Sequence, residues 1–383
     1  MREGPLYVWK TAFRGFRAHV FVATLLAMTA LTLMTLSGEA GEKTSTVKDP
    51  QVKGLYNELA DKGWIVYSAR NDQGYYNLFI SRPNGTGVRN ITRNPASHEL
   101  GARFFDVGKR IFFRRLAKLR EEQDYNNVLR EGVLVIANSD GSSPRTLGGE
   151  GDYPWATVSP DGKQMACLYR KEGKIRIFDL DTLKVIREMP RQGIFQHLGW
   201  SPGGSEFCGT ANVEGRDWNI ATCPLEGGKR TIISVFSDCC TPDWFPDARR
   251  LIFSHRHPGL PSDDGGATAK RIGEDPKASW TMITMADRAG KENKLVVAEQ
   301  YRHLYFACVS PDNKYVIYSR LVKDGSLAGP MAVLRLADAP ILDGPWTAAQ
   351  EQYAKNAKRG PILHLDLPEA FHPEWTYARL GGR

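Results

Sequence analysis

The sequence predicts an all-β protein: a six-bladed β-propeller of four-stranded antiparallel blades, preceded by an N-terminal hydrophobic helix. Two observations predict the propeller: a turn motif that recurs at intervals of tens of residues, and apolar runs of strand length on either side of each turn. A third observation, an incomplete unit at each end of the repeat region, indicates that the units close into a ring.

The turn motif is clearest at residues 159–163, which read SPDGK and separate the apolar runs 155–158 and 165–169. Pro presets φ and Gly accepts positive φ, so Pro and Gly on either side of Asp predict a tight turn between two strands. Related turns recur at spacings of about 40–65 residues, and a propeller blade takes about 40–45 residues. Six positions are equivalent in this repeat: Lys62, Lys109, Lys163, Ser205, Arg249 and Lys314.

The two ends of the repeat region each hold part of a unit. Residues 371–376 (FHPEWT) are typical of a first strand without its remaining strands. The unit near Trp64 has the later strands and lacks a well-formed first one. We therefore expect the C-terminal strand to complete the first blade, which would leave no sheet edge open.

In this repeat, a WSPDGK-type turn is followed by two apolar residues and then by Tyr-Ser. A later strand of the same unit ends in Asn-Gly or Asp-Gly. This pattern resembles the TolB-like (WD-repeat-like) β-propeller repeat over roughly residues 64–376. The resemblance implies the β-propeller fold. It does not imply one function, because the family includes scaffolds, periplasmic binding proteins and propellers appended to peptidases. TolB itself carries an α/β domain before its propeller, and residues 41–62 are too few to form one. The resemblance therefore does not extend to a Tol–Pal role.

Residues 1–40 have the layout of a secretory signal peptide or of an N-terminal transmembrane anchor. Arg2, Lys10, Arg14 and Arg17 precede the uncharged stretch 20–36, and small residues at 38–40 offer a cleavage site. The stretch is also just long enough to span a bilayer, which allows membrane association. In both cases we expect the propeller outside the cytoplasm, periplasmic or extracellular, secreted or anchored to the inner membrane. The predicted regions are the signal or anchor 1–40, a linker 41–53 and the propeller 54–383.

The charge of the chain argues against a nucleic-acid partner. The formal net charge is +8, and the basic residues are spread along the chain. No basic stripe with interleaved aromatic residues is present, as single-stranded or duplex nucleic acid would require. Weak attraction to an anionic lipid surface or an acidic partner is compatible with this charge.

The chain has six cysteines. Cys208 and Cys223 are the best candidates for a disulfide, because counting back from the turn at residues 214–217 places them opposite each other on neighbouring strands. The sequence favours the alternative, that cysteines in strands are small buried hydrophobic residues. No CxxC pair or CxxCH haem motif is present. The tryptophans that precede the turns are expected to pack between blades: Trp155, Trp200, Trp244 and Trp375.

Two inserts, residues 118–131 and 255–279, lengthen the connection between the second and third strands of a unit. These connections lie on one face of a propeller, opposite the SPDGK turns. Loops on a rigid scaffold often carry binding residues, and neutral loop growth is the alternative. We predict that a protein partner contacts this face through ten residues: Lys118, Arg120, Glu121, Asp124, Tyr125, His255, Arg256, His257, Lys270 and Arg271. A third insert, residues 342–361, is predicted to contain a short helix.

Histidines are the residues best placed for metal chemistry. His197 and His372 occupy matching positions in first strands, which line the channel of a propeller, and His98 and His303 precede two other first strands. Imidazole suits Zn²⁺, Mn²⁺ or Ni²⁺, and the oligogalacturonate lyases, distant propeller relatives, hold a metal with histidines at the channel mouth. Their spacing here is not diagnostic, so we predict no metal and no other cofactor. Three histidines are secondary candidates for a metal site: His255, His257 and His303.

Motifs for covalent catalysis are absent from the sequence. The chain has no GxSxG nucleophile elbow and no Walker-type phosphate loop. The sequence therefore favours a non-catalytic, extracytoplasmic propeller that binds a protein partner or acts as a scaffold, either free or as an anchored subunit of a larger complex. The alternative is a metal-dependent lyase or hydrolase that acts on an acidic polysaccharide at the channel mouth.

Overall fold

The computed structural model describes residues 48–119, 129–213, 216–234, 238–257, 280–299, 302–321, 329–339, 342–343, 360–367 and 369–377. The predicted signal peptide or anchor lies outside these residues. No helix in the described part of the chain combines the length and the hydropathy needed to cross a bilayer.

Four sheets have four antiparallel strands each, which is the predicted blade. The first joins the two ends of the described chain: β1 (Trp64–Arg70), β2 (Tyr76–Ser81), β3 (Arg89–Asn90) and β25 (Phe371–Thr376). The second contains β4 (His98–Phe105), β5 (Arg110–Leu116), β6 (Val133–Asn138) and β7 (Arg145–Leu147). The third contains β8 (Ala156–Val158), β9 (Gln164–Tyr169), β10 (Lys174–Asp179) and β11 (Val185–Pro190). The fourth contains β12 (Ile194–Trp200), β13 (Glu206–Val213), β14 (Arg216–Pro224) and β15 (Thr231–Ile232).

The other described strands form one nine-stranded sheet, so the structure has four separate four-stranded blades where the sequence predicts six. Its strands are β16 (Cys239–Trp244), β17 (Arg250–His257), β18 (Trp280–Asp287), β19 (Asn293–Val297), β20 (His303–Val309), β21 (Tyr315–Leu321), β22 (Met331–Arg335), β23 (Leu342–Asp343) and β24 (Ile362–His364). Two antiparallel meanders make up this sheet. They merge because β18 and β20 begin side by side, which allows one parallel bridge between Thr281 and His303. β23, from the third insert, extends the edge of β19.

The C-terminal strand completes the first blade, as predicted. β25 pairs antiparallel with β1, from Thr376 opposite Trp64 to Phe371 opposite Ser68. The indole of Trp375 donates a hydrogen bond of 2.7 Å to the Lys62 carbonyl, across 313 residues of sequence. The four tryptophans predicted to pack between blades are all buried: Trp155, Trp200, Trp244 and Trp375.

The SPDGK turns form through the chemistry that their residues predict. Asp161 accepts hydrogen bonds from the Ser159 hydroxyl at 2.6 Å and from the Lys163 amide at 3.1 Å. Gly162 follows with a φ of 71°. The turn at residues 310–314 repeats these two hydrogen bonds, with Asn313 at a φ of 60°. Asn tolerates this left-handed region, so it replaces the glycine of the motif.

A helix replaces the end of the predicted linker. α1 (Pro50–Leu59) begins inside the range 41–53 because Asp49 caps it, with its carboxylate accepting from two amides of the first turn at 2.8 and 3.4 Å. Proline fits the first position of a helix, where its missing N–H costs nothing. Leu55 and Leu59 are fully buried in one hydrophobic cluster with strands of the first blade and of the nine-stranded sheet.

All six cysteines are free and buried, as the favoured alternative predicted. The proposed pairing of Cys208 with Cys223 is wrong by one residue, because Cys208 lies opposite Thr222. The count assumed Val213 opposite Trp218, whereas Val213 lies opposite Arg216, and the register shift between Ala211 and Val213 recovers only one of these two positions. Successive side chains of a strand point to opposite faces, so the two thiols lie on opposite faces of the sheet.

Candidate functional site

The first strands of the units meet around a common axis. β8, β12, β16, β20, β25 and β4 each contact the next in this order. In five of them the pairing with the neighbouring strand skips two residues while the partner skips one, which is a β-bulge. The first skipped residue always has positive φ, and we call these the bulge residues: Gly101, His197, Thr241, Phe306 and His372.

The bulges surround a single cavity of about 50 Å³ on this axis. A water molecule needs about 10–15 Å³ of such volume, so the cavity has room for a few waters or one small ion. Leu129, the first described residue after the gap in the second-unit insert, also contributes to its wall. The polar and aromatic part of the wall comes mainly from first strands and from β5: Arg103, Phe112, Arg114, Trp155, His197, Thr241, Asp243, Phe306 and His372.

Aromatic rings and imidazoles form one layer of the cavity wall. Phe306 stacks on His372 with ring centroids 4.1 Å apart. The His197 ring lies 4.1 Å from Trp155 and 6.1 Å from Phe306. The backbone amide of Thr241 donates to His197 Nδ1 at 3.4 Å. Nδ1 also lies 3.1 Å from the Thr210 hydroxyl, which can donate, so Nδ1 can accept from both groups, and a neutral His197 then carries its proton on Nε2.

Both imidazoles are neutral at physiological pH. Burial lowers the pKa of His372 to about 3, and the nearby charges of Arg103 and Arg114 act in the same direction. Burial also holds the pKa of His197 well below its ordinary value, with a contribution from His372. Desolvation disfavours the charged form of histidine, so these rings act as neutral hydrogen-bonding groups.

An ion cluster lies two positions beyond the bulge residues in three of the first strands. Arg103 contacts Asp243 at 3.1 Å through Nη2 and Glu374 at 3.0 Å through Nε. Burial raises the pKa of Asp243 and raises the pKa of Glu374 to about 7, and the Arg103 charge opposes both shifts. Two carboxylates therefore share one guanidinium, and one of them holds a proton near neutral pH.

Asp243, Cys308 and Glu374 form the one group of potential metal ligands found among the described residues, with ligand atoms within 4.8 Å of one another. This group does not suit a cation such as Mn²⁺. Arg103 already contacts both carboxylates, and burial raises the pKa of the Cys308 thiol well above its ordinary value, so the thiol stays protonated. Mn²⁺ also prefers oxygen ligands to thiols. The cluster is therefore an internal ion pair.

Arg114 differs from Arg103, because no carboxylate of the described residues lies within ion-pair distance of it. Its side chain is buried, its Nη2 donates to the Pro154 carbonyl at 3.0 Å, and its Nε has no hydrogen-bond partner among these residues. Burial lowers the pKa of Arg114 to about 10, so it remains charged at neutral pH. Three other buried atoms of the cavity wall also lack a partner in the described chain: Trp155 Nε1, His197 Nε2 and His372 Nδ1.

The predicted partner contacts differ in exposure. Lys118 is exposed, and Arg256 is half-buried with Asp238 at 2.7 Å. His255 is only 2 % exposed because it belongs to β17, so the predicted loop starts later than residue 255. His257 ends β17, and its side chain lies outside the described part. The other predicted contacts also lie outside it: Arg120, Glu121, Asp124, Tyr125, Lys270 and Arg271.

Two of the histidines chosen as metal candidates, His255 and His303, do not line the axial cavity. His255 is opposite Met282 of β18, while His303 bridges to Thr281 from the other side of the same strand. The matching positions of His197 and His372 did identify residues of the cavity. Sequence reasoning missed the ion cluster, although a signal was present: Pro-Asp-Trp at 242–244 and Pro-Glu-Trp at 373–375 place an acid at the same position of two units.

No family model matches the chain, and no curated protein matches its sequence. Among solved structures, TolB from Acinetobacter baumannii superposes with a TM-score of 0.57 and 15 % identity, over 83 % of this chain and 67 % of that one. A TolB candidate from Agrobacterium tumefaciens gives a TM-score of 0.48 and 16 % identity, over 73 % and 87 % of the two chains.

An oligogalacturonate lyase in complex with manganese gives a TM-score of 0.41 and 12 % identity, over 74 % of each chain. This similarity is too low to transfer a metal site, and the described residues offer no matching one. The similarity to the Acinetobacter protein is one of fold, since identity at this level leaves function to the site itself. With its four-stranded blades and its closure by β25, the chain has a TolB-like β-propeller fold.

Proposed function

We propose that this chain is a non-catalytic propeller that works outside the cytoplasm and binds a protein partner. The observation that carries the proposal is that the axial site has paired carboxylates and a small cavity. Its carboxylates are held by Arg103, and its cavity measures about 50 Å³. Small-molecule sites usually measure about 300–1,000 Å³, so the axis offers little room for a substrate. The signal-like residues 1–40 and the TolB-like fold support the location, secreted or anchored as a subunit of a larger complex.

We place the partner on the face that carries the connections between second and third strands. The second-unit insert returns to the axis on this face, where Leu129 is buried in the cavity wall. A β-carbon added to Gly101 would lie 2.6 Å from Leu129 Cδ2, which shows how tightly this residue packs. Specific interfaces bury about 800 Å² per partner, an area that loops around a channel mouth can supply.

We also interpret the nine-stranded sheet as two blades joined by a single bridge. The meander β16–β19 and the meander β20–β22 with β24 each have the strand order of the four separate sheets. The bridge between Thr281 and His303 is one residue pair, whereas β17 and β18 share eight pairs. This interpretation gives six blades.

Replacing residues 259–278 with a short Gly-Ser linker tests the partner proposal, because it leaves β17 and β18 intact. We expect recovery of co-purifying proteins, measured by quantitative mass spectrometry after mild crosslinking, to fall about tenfold, the effect of losing about 1.4 kcal/mol of binding free energy. The thermal midpoint should stay unchanged. The matched control is Lys163→Glu with Lys314→Glu, which alters charge on the SPDGK face. Equal recovery with the loop variant and the intact chain would refute the chosen face.

A metal-dependent lyase or hydrolase acting on an acidic polysaccharide is the second candidate, because His255 and His303 lie on the two strands that flank the start of β18. It requires a metal at the channel mouth. Elemental analysis of the purified protein should then show one metal per chain, and His255→Ala and His303→Ala should remove it. Metal content far below one per chain, with both variants folded, would eliminate this candidate.

A further inference from the structure

We propose that the axial cavity is a binding site for a small monovalent anion of formate or halide size, with Arg114 as its charge partner. Buried arginines are almost always paired with an acid. Arg103 meets this expectation through Asp243 and Glu374. Arg114 is buried to 3 % exposure, and its one hydrogen bond to the described residues goes to the neutral carbonyl of Pro154. An anion beside Arg114 would supply the negative charge that Asp243 and Glu374 supply to Arg103.

The hydrogen-bonding groups of the cavity wall favour an acceptor as the ligand. Trp155 Nε1 and Arg114 Nε carry hydrogens and can only donate. His197 Nε2 donates in the tautomer in which Nδ1 accepts from the Thr241 amide and the Thr210 hydroxyl. These three donors are buried and have no partner among the described residues, and the residues that carry them line one cavity. His372 Nδ1 is the fourth such atom, and its neutral ring can take the donor tautomer. Asp243 lines the same cavity, where Arg103 contacts its carboxylate at 3.1 Å.

The size of the cavity selects the class of anion. About 50 Å³ admits a halide, formate or nitrate, and excludes a sugar acid or a peptide side chain with its backbone. Trp155 and Phe306 contribute to the apolar part of the wall together with Phe112, Leu129 and Leu198. Several hydrogen-bond donors beside one guanidinium favour an anion, because charge-assisted hydrogen bonds are the strong ones.

Thermal unfolding of the full chain in sodium formate and in sodium bromide tests this site, with ionic strength held constant by sodium methanesulfonate. A ligand that binds the folded state raises the midpoint in a saturable way. We expect saturable rises for the wild type and for the control Arg110→Met, whose guanidinium donates to the Gly162 carbonyl away from the axis. Arg114→Met should lose the effect. Trp155→Phe should raise the apparent Kd about three- to tenfold, the effect of one hydrogen bond.

Bromide also scatters anomalously, so a crystal grown in sodium bromide should show a peak beside Arg114 in the cavity. If Arg114→Met does not fold, Arg114→Lys keeps the charge without the Nε–H and should bind bromide more weakly. A cavity filled with water alone, or an Arg114 that only balances the ion cluster, predicts no saturable rise and no anomalous peak, and either result would overturn the proposal. Tighter binding of galacturonate than of formate would overturn the assigned size class.

Discussion

Two carboxylates and one guanidinium share the axis of the molecule, and their protonation depends on pH. With both acids ionised, Arg103, Asp243 and Glu374 would carry a net charge of −1 in a buried cluster. Burial disfavours this state and raises the pKa of Glu374 to about 7, although Arg103 opposes the shift. In the unfolded chain, the same carboxyl group titrates near 4.5. Between these values the folded state holds more protons than the unfolded state.

Stability should therefore fall as pH rises from 5 to 8 through the contribution of Glu374, since the folded state binds the extra proton at the lower pH. The expected loss is on the order of 1–3 kcal/mol, because one pKa unit corresponds to about 1.4 kcal/mol. The Glu374→Gln variant should not show this part of the pH dependence of stability. Urea unfolding at pH 5, 6, 7 and 8 measures the free energy of unfolding of both proteins.

Glu188→Gln provides the control for this pH series. Glu188 lies near the surface, where its side-chain hydrogen bond with Arg176 lowers the pKa of its carboxyl group. Its titration thus lies below pH 5 in both states, and its replacement should leave the slope between pH 5 and 8 unchanged. Parallel profiles of wild type and Glu374→Gln would contradict the assignment of a proton to Glu374.

At the scale of the strand, the bulges are the feature that builds the axial site. Each inserts one extra residue opposite its partner strand, which rotates the following side chains. Four of the five bulge residues have a side chain despite their positive φ: His197, Thr241, Phe306 and His372. Positive φ is uncommon for such residues and rarest for a β-branched one, so the conformation is held by its surroundings. The hydroxyl of Thr241, for example, forms a hydrogen bond of 2.7 Å with the hydroxyl of Ser254.

Gly101 is the bulge residue where the contribution of packing can be measured. A β-carbon there would lie 2.6 Å from Leu129 Cδ2 and 3.3 Å from His372 Nδ1, and its φ is 65°. Gly74 has a similar conformation, φ 83°, with no atom within 4 Å of such a carbon. Gly74→Ala should cost about 1 kcal/mol for the left-handed backbone alone. Gly101→Ala should cost about 1–3 kcal/mol more because it overpacks the cavity wall.

Denaturant unfolding of the two glycine variants at one pH gives the comparison directly. The difference between them reports the steric cost, because the backbone cost is common to both. Equal losses would mean that Leu129 moves aside freely, and that the end of the second-unit insert is not anchored on the axis.

At the scale of the whole molecule, the sequence predicted the features that depend on a few neighbouring residues, such as turns and strand patterns. The turn at residues 159–163 and the closure by residues 371–376 follow from turn residues and strand patterns, and both are present. Strand register is different, because Val213 pairs with Arg216 and not with Trp218, which leaves Cys208 one residue from its predicted partner. The cap at Asp49 was missed because one Asp-Pro pair in a polar stretch is a weak helix signal.

The axial site shows why function was harder to predict than fold. His197 and His372 were identified because the repeat puts them at matching positions. The ion cluster, by contrast, joins Arg103 to Asp243 and Glu374 across 140 and 271 residues of sequence. No local pattern reports a contact between blades, and only the repeat register of the two acids hinted at it. Arg114 lies in an ordinary strand pattern, so only the structure shows that no acid of the described residues pairs with it.

Closure by β25 makes the stability of the whole molecule depend on its last strand. A chain that ends at residue 370 would leave the edge of β1 open, and an open strand edge favours aggregation. It would also remove Trp375, which is 4 % exposed, and Glu374, which binds Arg103. We expect this variant to lose its cooperative thermal transition and to aggregate in size-exclusion chromatography.

A chain that ends after Tyr377 keeps β25 and is the control. A synthetic peptide of residues 369–377, added during refolding, should restore the transition if closure is its cause. A truncated chain that unfolds at the wild-type midpoint would show instead that the other sheets are stable without the closing strand.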